Sequence, residues 1–185
     1  MYSELVIYTE FKMNKINKNQ FPRVPYGMTV HENSEIEAVV DVLKTSTQMG
    51  PKTKEFENEI AELFGHKHGV GTNSGSSALH IAIECFNLPK GSEVITPALT
   101  FGTTIGCIVK NGHIPAFVDS ESATKFIIDV DKIDEMITDK TKAMCIPNLI
   151  GNMPDWEKIK KIANKYNLLI LDDSADILGG KYNGN

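Results

Sequence analysis

The chain has 185 residues, of which 41% are hydrophobic and 23% charged, and its formal net charge is −5. This length and composition predict about one domain of an ordinary soluble protein. The weak acidity argues against nucleic-acid binding, which needs a basic face, and no apolar run approaches the ~20 residues of a membrane span.

The N-terminal segment and the cysteines favour a cytoplasmic protein. The first residues, MYSELVIYTEFKMNKINKNQF, lack the basic start, long apolar stretch and small-residue cleavage site of a signal peptide. Cys85, Cys107 and Cys145 each lie in an apolar run and are predicted to be buried free thiols. No CxxC pair or His/Cys cluster indicates a metal site.

The chain is predicted to begin with an arm and to continue as one domain. Residues 1–27 show no clear period and form the arm, and residues 28–185 form the domain. Ser34 and Glu37 have capping-box spacing at the start of a first helix. Its apolar face has helical spacing and consists of Ile36, Val39, Val40 and Leu43. A second helix follows Gly50 and Pro51, with Phe56, Ile60, Leu63 and Phe64 on one side.

Short apolar strands then alternate with helices. The strands are predicted at 70–72, 93–96, 114–118, 142–147 and 168–171. The helices are predicted at 76–86, at 103–110, after Asp129 and after Asp155. This alternation predicts an α/β fold, a three-layer sandwich with a mostly parallel sheet covered on both faces. Ligands of such folds bind beyond the carboxyl ends of the strands.

A Gly- and Ser-rich segment, Asn73–Ser77, follows the first predicted strand and opens a helix. The free N–H groups of a helix start, together with Ser hydroxyls, can hold a phosphate. A Ser-rich N-cap without a ligand explains the same residues. The pattern alone leaves both interpretations open.

Two further segments follow predicted strands. Phe101 is placed to stack on a flat ring, although ordinary core packing is the commoner reason for a single Phe. The segment Asp172–Asp176 carries three carboxylates at a strand end, where burial without partners is costly. A protonated pyridine nitrogen facing one of them would remove that cost and keep the ring an electron sink. A helix N-cap explains the acids as well, and a metal site is the weaker alternative.

Five motifs carry a resemblance to a known family. They occur in the order NSGSSAL, ITPALTF, NGHIPAFVD, PNLIGN and LDDSAD. Together they resemble the DegT/StrS family of PLP-dependent nucleotide-sugar aminotransferases and dehydratases, over residues 28–185. The resemblance implies the aspartate aminotransferase-like large domain of PLP-dependent transferases, truncated, with pyridoxal 5′-phosphate (PLP) as cofactor.

The resemblance implies roles for five residues in cofactor binding. Gly75, Ser76 and Ser77 match the family's Gly-Thr-Ala turn, which holds the PLP phosphate. Phe101 matches the aromatic residue stacked on the pyridine ring. Asp173 matches the acid that pairs with the pyridine nitrogen.

Two positions depart from the family pattern. Asp176 falls where the family usually has Gln or His near the ring hydroxyl, and it is assigned to cofactor binding. Asn148 falls where the family often has the His of a His-x-x-Gly motif, and it is assigned to substrate binding. Asp176 and the pair Gly151-Asn152 look more like the sugar 3-dehydratase branch than the aminotransferases.

The function that the resemblance implies is aminotransfer from an amino acid to a nucleotide-linked keto sugar, by a homodimer. The alternatives are 3-dehydration and a non-catalytic module that binds a sugar nucleotide or a partner. The Schiff-base lysine of the family is expected beyond Asn185, as are the rest of the large domain and the small domain. Lys181 matches a turn residue instead. We therefore expect the 185-residue chain alone to be inactive.

Overall fold

The computed structural model describes residues 29–45, 50–122 and 124–184. The chain divides into two compact units, Met1–Met49 and Gly50–Asn185. The predicted arm, residues 1–27, lies outside the described residues, and its structure stays a prediction. Among the helices that the structure describes, none is long and apolar enough to cross a bilayer.

The described part of the first unit contains one helix, α1 (Asn33–Thr45). The prediction that Glu37 completes a capping box is wrong, because Glu35 takes that role in the structure. The Glu35 carboxylate accepts a hydrogen bond from the backbone N–H of Glu32, with N and Oε2 2.9 Å apart. The helix begins at Asn33, two residues earlier than a cap at Ser34 implied, which moves the third helical position from Glu37 to Glu35.

The second unit is built on a four-stranded sheet. Its strands are β1 (Glu93–Pro97), β2 (Ile114–Val118), β3 (Thr141–Pro147) and β4 (Leu169–Asp173). They are all parallel and lie in the order β2-β1-β3-β4. Four of the five predicted strands are therefore confirmed, and their carboxyl ends meet at one edge of the sheet.

Helices cover both faces of this sheet, so the predicted three-layer α/β fold is confirmed. Alternate residues of a strand point to opposite faces. Val94 packs in one apolar cluster with residues of α3 (Gly75–Cys85) and α4 (Gly102–Lys110). Its neighbour Ile95 packs in a second cluster with residues of α5 (Trp156–Tyr166) on the other face.

The predicted strand at residues 70–72 is wrong. This segment follows α2 (Pro51–Leu63) and pairs with no other strand among the described residues. The backbone N–H of Gly71 donates instead to the Glu57 carboxylate, at 2.8 Å from Oε1. Val70 is 78% exposed. An apolar run becomes a strand only where a neighbouring strand supplies backbone partners.

The helix predicted after Asp129 is two 3-10 turns, Val130–Lys132 and Asp134–Met136. Asp129 does cap the first turn, since its carboxylate accepts from the backbone N–H of Asp131. The chain returns to an extended conformation at Ile137 (φ −82°, ψ 126°). The turns are closed by i→i+3 backbone hydrogen bonds, such as the one from the N–H of Ile133 to the carbonyl of Val130 at 3.3 Å, which is the pattern of short helical runs.

The prediction of three buried cysteines is wrong for one of them. Cys107 and Cys145 are buried free thiols, whereas Cys85 is exposed. Cys85 is the last residue of α3, and its position lies off the stripe formed by Leu79 and Ile83, which the sheet covers.

Candidate active site

A cavity of about 310 Å³ lies where β3 and β4 end and α3 and α4 begin. This is the edge at which parallel sheets place their ligands. Six of the seven residues singled out in the sequence line it: Gly75, Ser76, Phe101, Asn148, Asp173 and Asp176.

The first turn of α3 forms one wall of the cavity. Ser74 is the N-cap, and its hydroxyl oxygen accepts from the backbone N–H of Ser77 at 3.1 Å. The N–H groups of Gly75 and Ser76 belong to the first turn, where no intrahelical acceptor exists. A Cβ at Gly75 would meet no atom within 4 Å, so the space beside the backbone of this residue is open. The turn can therefore accept an anion.

Two details of this turn differ from the sequence interpretation. Gly75 is the first residue of α3 and does not form a tight turn of its own. Ser77 does not line the cavity, because its hydroxyl lies 3.1 Å from the Ser74 hydroxyl and its N–H is the one that Ser74 caps. A contact between Ser77 and a phosphate stays a prediction.

Phe101 lies at the N-cap position of α4 and lines the cavity. Its backbone is extended (φ −69°, ψ 140°), and its side chain makes no capping hydrogen bond. The residue is 68% exposed although it is a large apolar side chain. Core packing therefore does not account for Phe101, and its ring is available to a planar ligand.

Asp173 is the last residue of β4 and lies at the cavity wall. Its Oδ2 accepts a hydrogen bond from the hydroxyl of Thr104 at 2.9 Å. Its Oδ1 accepts a longer one, 3.4 Å, from the backbone N–H of Ala175. The residue is half-buried, and its carboxylate is held by α4 at the wall of the cavity.

Asp172, the preceding residue, points to the other face of the sheet and joins a separate network. Its carboxylate accepts from Asn148 at 2.8 Å and from the Ser174 hydroxyl at 2.9 Å. The Asn148 amide oxygen accepts from the indole N–H of Trp156 at 3.0 Å. Desolvation raises the pKa of Asp172, and the hydrogen bonds from Ser174 and Asn148 oppose that rise.

Asn148 is 2% exposed, and protein groups occupy both ends of its amide. The residue lines the cavity but acts there as the junction between β3, β4 and α5. Contact between Asn148 and a substrate stays a prediction. The sequence interpretation missed Trp156 as its partner.

Asp176 holds the turn that follows β3. Its Oδ2 accepts from the backbone N–H of Ile150 at 2.9 Å. Ile150 has a positive φ of 56°, an unfavourable conformation for a β-branched residue. The carboxylate therefore stabilises a strained turn beside the cavity, and its other oxygen, Oδ1, accepts no hydrogen bond from the described residues.

A larger cavity, of about 830 Å³, lies beside β4 on the face that α5 covers. Asn148 is the one predicted site residue that lines it. Over residues 29–45, 50–122 and 124–184, no group of three or more His, Cys, Asp or Glu side chains is arranged to hold a metal ion. The predicted chemistry therefore belongs to the smaller cavity.

Comparison with known proteins identifies the family that the chain matches. The model of the DegT/DnrJ/EryC1/StrS aminotransferase family matches residues 29–185. A "Pleiotropic regulatory protein" of Geobacillus stearothermophilus is 40% identical over 152 residues, which cover 81% of this chain and 41% of that protein. GDP-perosamine synthase of Caulobacter vibrioides is 31% identical, over 90% of this chain and 45% of that protein.

A solved structure of similar fold also matches the chain. It is GDP-4-keto-6-deoxymannose-3-dehydratase with a trapped PLP-glutamate geminal diamine, at a TM-score of 0.81 and 30% identity. The match covers 87% of this chain and 43% of that one. The chain thus spans less than half the length of the proteins it matches. It belongs to the DegT/DnrJ/EryC1/StrS aminotransferase family of PLP-dependent, sugar-modifying enzymes.

Proposed function

We propose that the cavity holds PLP, with its phosphate at Gly75 and Ser76, its ring against Phe101 and its pyridine nitrogen facing Asp173. The supporting observation is that these four residues, which come from three segments far apart in sequence, line one cavity. Its volume of about 310 Å³ lies at the lower end of the ~300–1,000 Å³ of small-molecule sites.

Each of these residues makes a different kind of contact with the cofactor. The open N–H groups at the start of α3 and the positive end of its dipole bind the phosphate. Phe101 covers a ring face and excludes water from it. The Asp173 carboxylate holds a proton on the pyridine nitrogen. When bound, PLP supplies an electron sink for charge that develops next to its reactive carbon.

The whole protein, on this proposal, transfers an amine from an amino acid to a nucleotide-linked keto sugar. The proposal draws on the family and on GDP-perosamine synthase, a relative whose product is an amino sugar. The lysine that this chemistry needs is expected beyond Asn185. The family also leads us to propose a homodimer, which sedimentation of the longest gene product that carries residues 1–185 will test.

One observation favours 3-dehydration as a second candidate. Asp176 lies at the cavity, where the aminotransferases of the family usually carry Gln or His. The 3-dehydratase with the trapped PLP-glutamate adduct has the same fold at 30% identity. A histidine in place of the expected lysine would fit this candidate.

The two candidates differ in the product. The longest gene product that carries this chain is incubated with PLP, glutamate and a GDP- or dTDP-linked 4-keto sugar, and the sugar is analysed by mass spectrometry. Nitrogen incorporated into the sugar supports aminotransfer. Loss of the 3-hydroxyl without nitrogen supports dehydration, and an unchanged sugar with every nucleotide tested contradicts both.

A further inference from the structure

We infer that Thr104 is the positioning residue for Asp173, and that it fixes the carboxylate in the orientation that a pyridine nitrogen requires. The inference rests on the proposed function, because it concerns how that site holds its cofactor. Thr104 does not line the cavity itself, so any effect on the cofactor must pass through Asp173.

The geometry gives Thr104 control of the carboxylate. Thr104 is 0% exposed on α4, and its hydroxyl lies 2.9 Å from Asp173 Oδ2. The contact of the other oxygen with the N–H of Ala175 is long, at 3.4 Å. The terminal torsion of an Asp side chain is broad and roughly two-fold. Without the hydroxyl, the plane of this carboxylate would therefore be poorly defined.

The need to satisfy a buried hydroxyl does not by itself explain this bond. Thr96 on β1 is also 0% exposed, and its hydroxyl has no hydrogen-bond partner among the described residues. The same core thus accommodates a buried threonine hydroxyl without a partner. Thr104 differs in that its hydroxyl reaches the carboxylate of the cavity wall.

The bond also couples two sides of the cavity. The backbone N–H of Thr104 donates to the carbonyl of Phe101 at 3.0 Å. The ring-facing residue and the anchor of the acid therefore belong to one helical turn of α4. A shift of this turn moves the surface for the ring face and the partner of the ring nitrogen together.

The test uses pyridoxamine 5′-phosphate, which carries no aldehyde to condense with surface lysines. The purified chain and the variants Thr104→Val, Thr104→Ser, Thr96→Val and Asp173→Asn are titrated by calorimetry. The pH at which the 15N-labelled ring nitrogen loses its proton is followed by NMR on the bound ligand. Circular dichroism checks that each variant is folded.

We expect Thr104→Val to weaken binding about tenfold and to lower the pH at which the ring nitrogen deprotonates, because a fixed carboxylate favours the protonated ring. Thr104→Ser, which keeps the hydroxyl, restores both values, and Thr96→Val changes neither. Weaker binding with an unchanged pH profile would show a merely structural role and overturn the inference.

Failure of the inference and failure of the proposed function are distinguishable. Binding that Asp173→Asn weakens and Thr104→Val leaves intact overturns only the assignment of Thr104. No binding to the unsubstituted chain, or binding that Asp173→Asn leaves intact, overturns both.

Discussion

The two walls of the cavity are held in different ways. The first turn of α3 is organised by its own neighbours, since Ser74 contacts Ser77 through two hydrogen bonds over three residues. The wall formed by α4, β3 and β4 is organised over long distances in sequence. Thr104 reaches Asp173 across 69 residues, and Asn148 reaches Asp172 across 24.

This difference assigns different tasks to the walls. The first turn of α3, which we call the local wall, uses its hydroxyls to cap the helix and leaves N–H groups free at the cavity, an arrangement that suits an anion. The wall formed by α4, β3 and β4, which we call the long-range wall, uses its polar groups to fix the carboxylates of Asp172 and Asp173 on opposite faces of the sheet. We therefore expect substitutions in the local wall to cost less stability than substitutions in the long-range wall.

The largest expected effect is on the long-range wall. Asn148→Ala removes the acceptor of the buried Trp156 indole N–H and a donor to the partly solvated Asp172 carboxylate. Because the buried indole N–H is left unsatisfied and both hydrogen bonds are lost, we expect a loss of about 3 kcal/mol in the free energy of unfolding. Urea denaturation of the purified chain measures it.

A matched control for Asn148 lies in the following turn. Asn152→Ala removes one hydrogen bond, from its amide to the carbonyl of Leu149, and should cost less than about 1.5 kcal/mol. Equal losses in the two variants would show that the network around Asn148 has no special weight.

The next largest effect is on ligand affinity at the local wall, with the free energy of unfolding nearly unchanged. Ser76→Ala should weaken binding of pyridoxamine 5′-phosphate by about 2 kcal/mol, since it removes a hydroxyl that faces the phosphate of the proposed site. Calorimetric titration gives the affinity. Ser77→Ala is the control, because Ser77 lies off the cavity wall and its hydroxyl contacts Ser74. A larger loss of affinity in Ser77→Ala would reverse the assignment.

A smaller effect tests the local character of the α3 turn. Ser74→Ala removes the oxygen that caps the N–H of Ser77 and should cost about 1 kcal/mol of stability. Ser74→Asp keeps an acceptor at this position and should lose less. Thermal denaturation of both variants decides the matter. If Ser74→Ala unfolds at the same temperature as the parent chain, the cap does not contribute.

The same division explains what the sequence could predict. Four strands and the caps at Asp129 and Asp155 follow from local patterns, such as apolar periods. Strand-end positions point to three segments of the site, whereas Asn148 and Asp176 are assigned through the family resemblance. The Thr104–Asp173 bond could not be predicted, because no local pattern encodes a partner 69 residues away. The failed strand at 70–72 has the same cause, since pairing depends on a distant neighbour.

The smallest effect lies within α4 and is a gain. Gly106 lies in the interior of this helix, it is exposed, and a Cβ there would meet no atom within 4 Å. Gly106→Ala should therefore raise the free energy of unfolding by about 0.5–1 kcal/mol, because glycine loses more backbone freedom on folding than alanine does.

A glycine-to-alanine substitution should lower the free energy of unfolding where the backbone passes close to another segment. A Cβ at Gly69 would lie 2.2 Å from the carbonyl oxygen of Glu57, so Gly69→Ala should destabilise the chain. Denaturant midpoints of the two alanine variants give the comparison. A loss of stability in Gly106→Ala would contradict the expected gain, because the open space around this position leaves no clash to explain it.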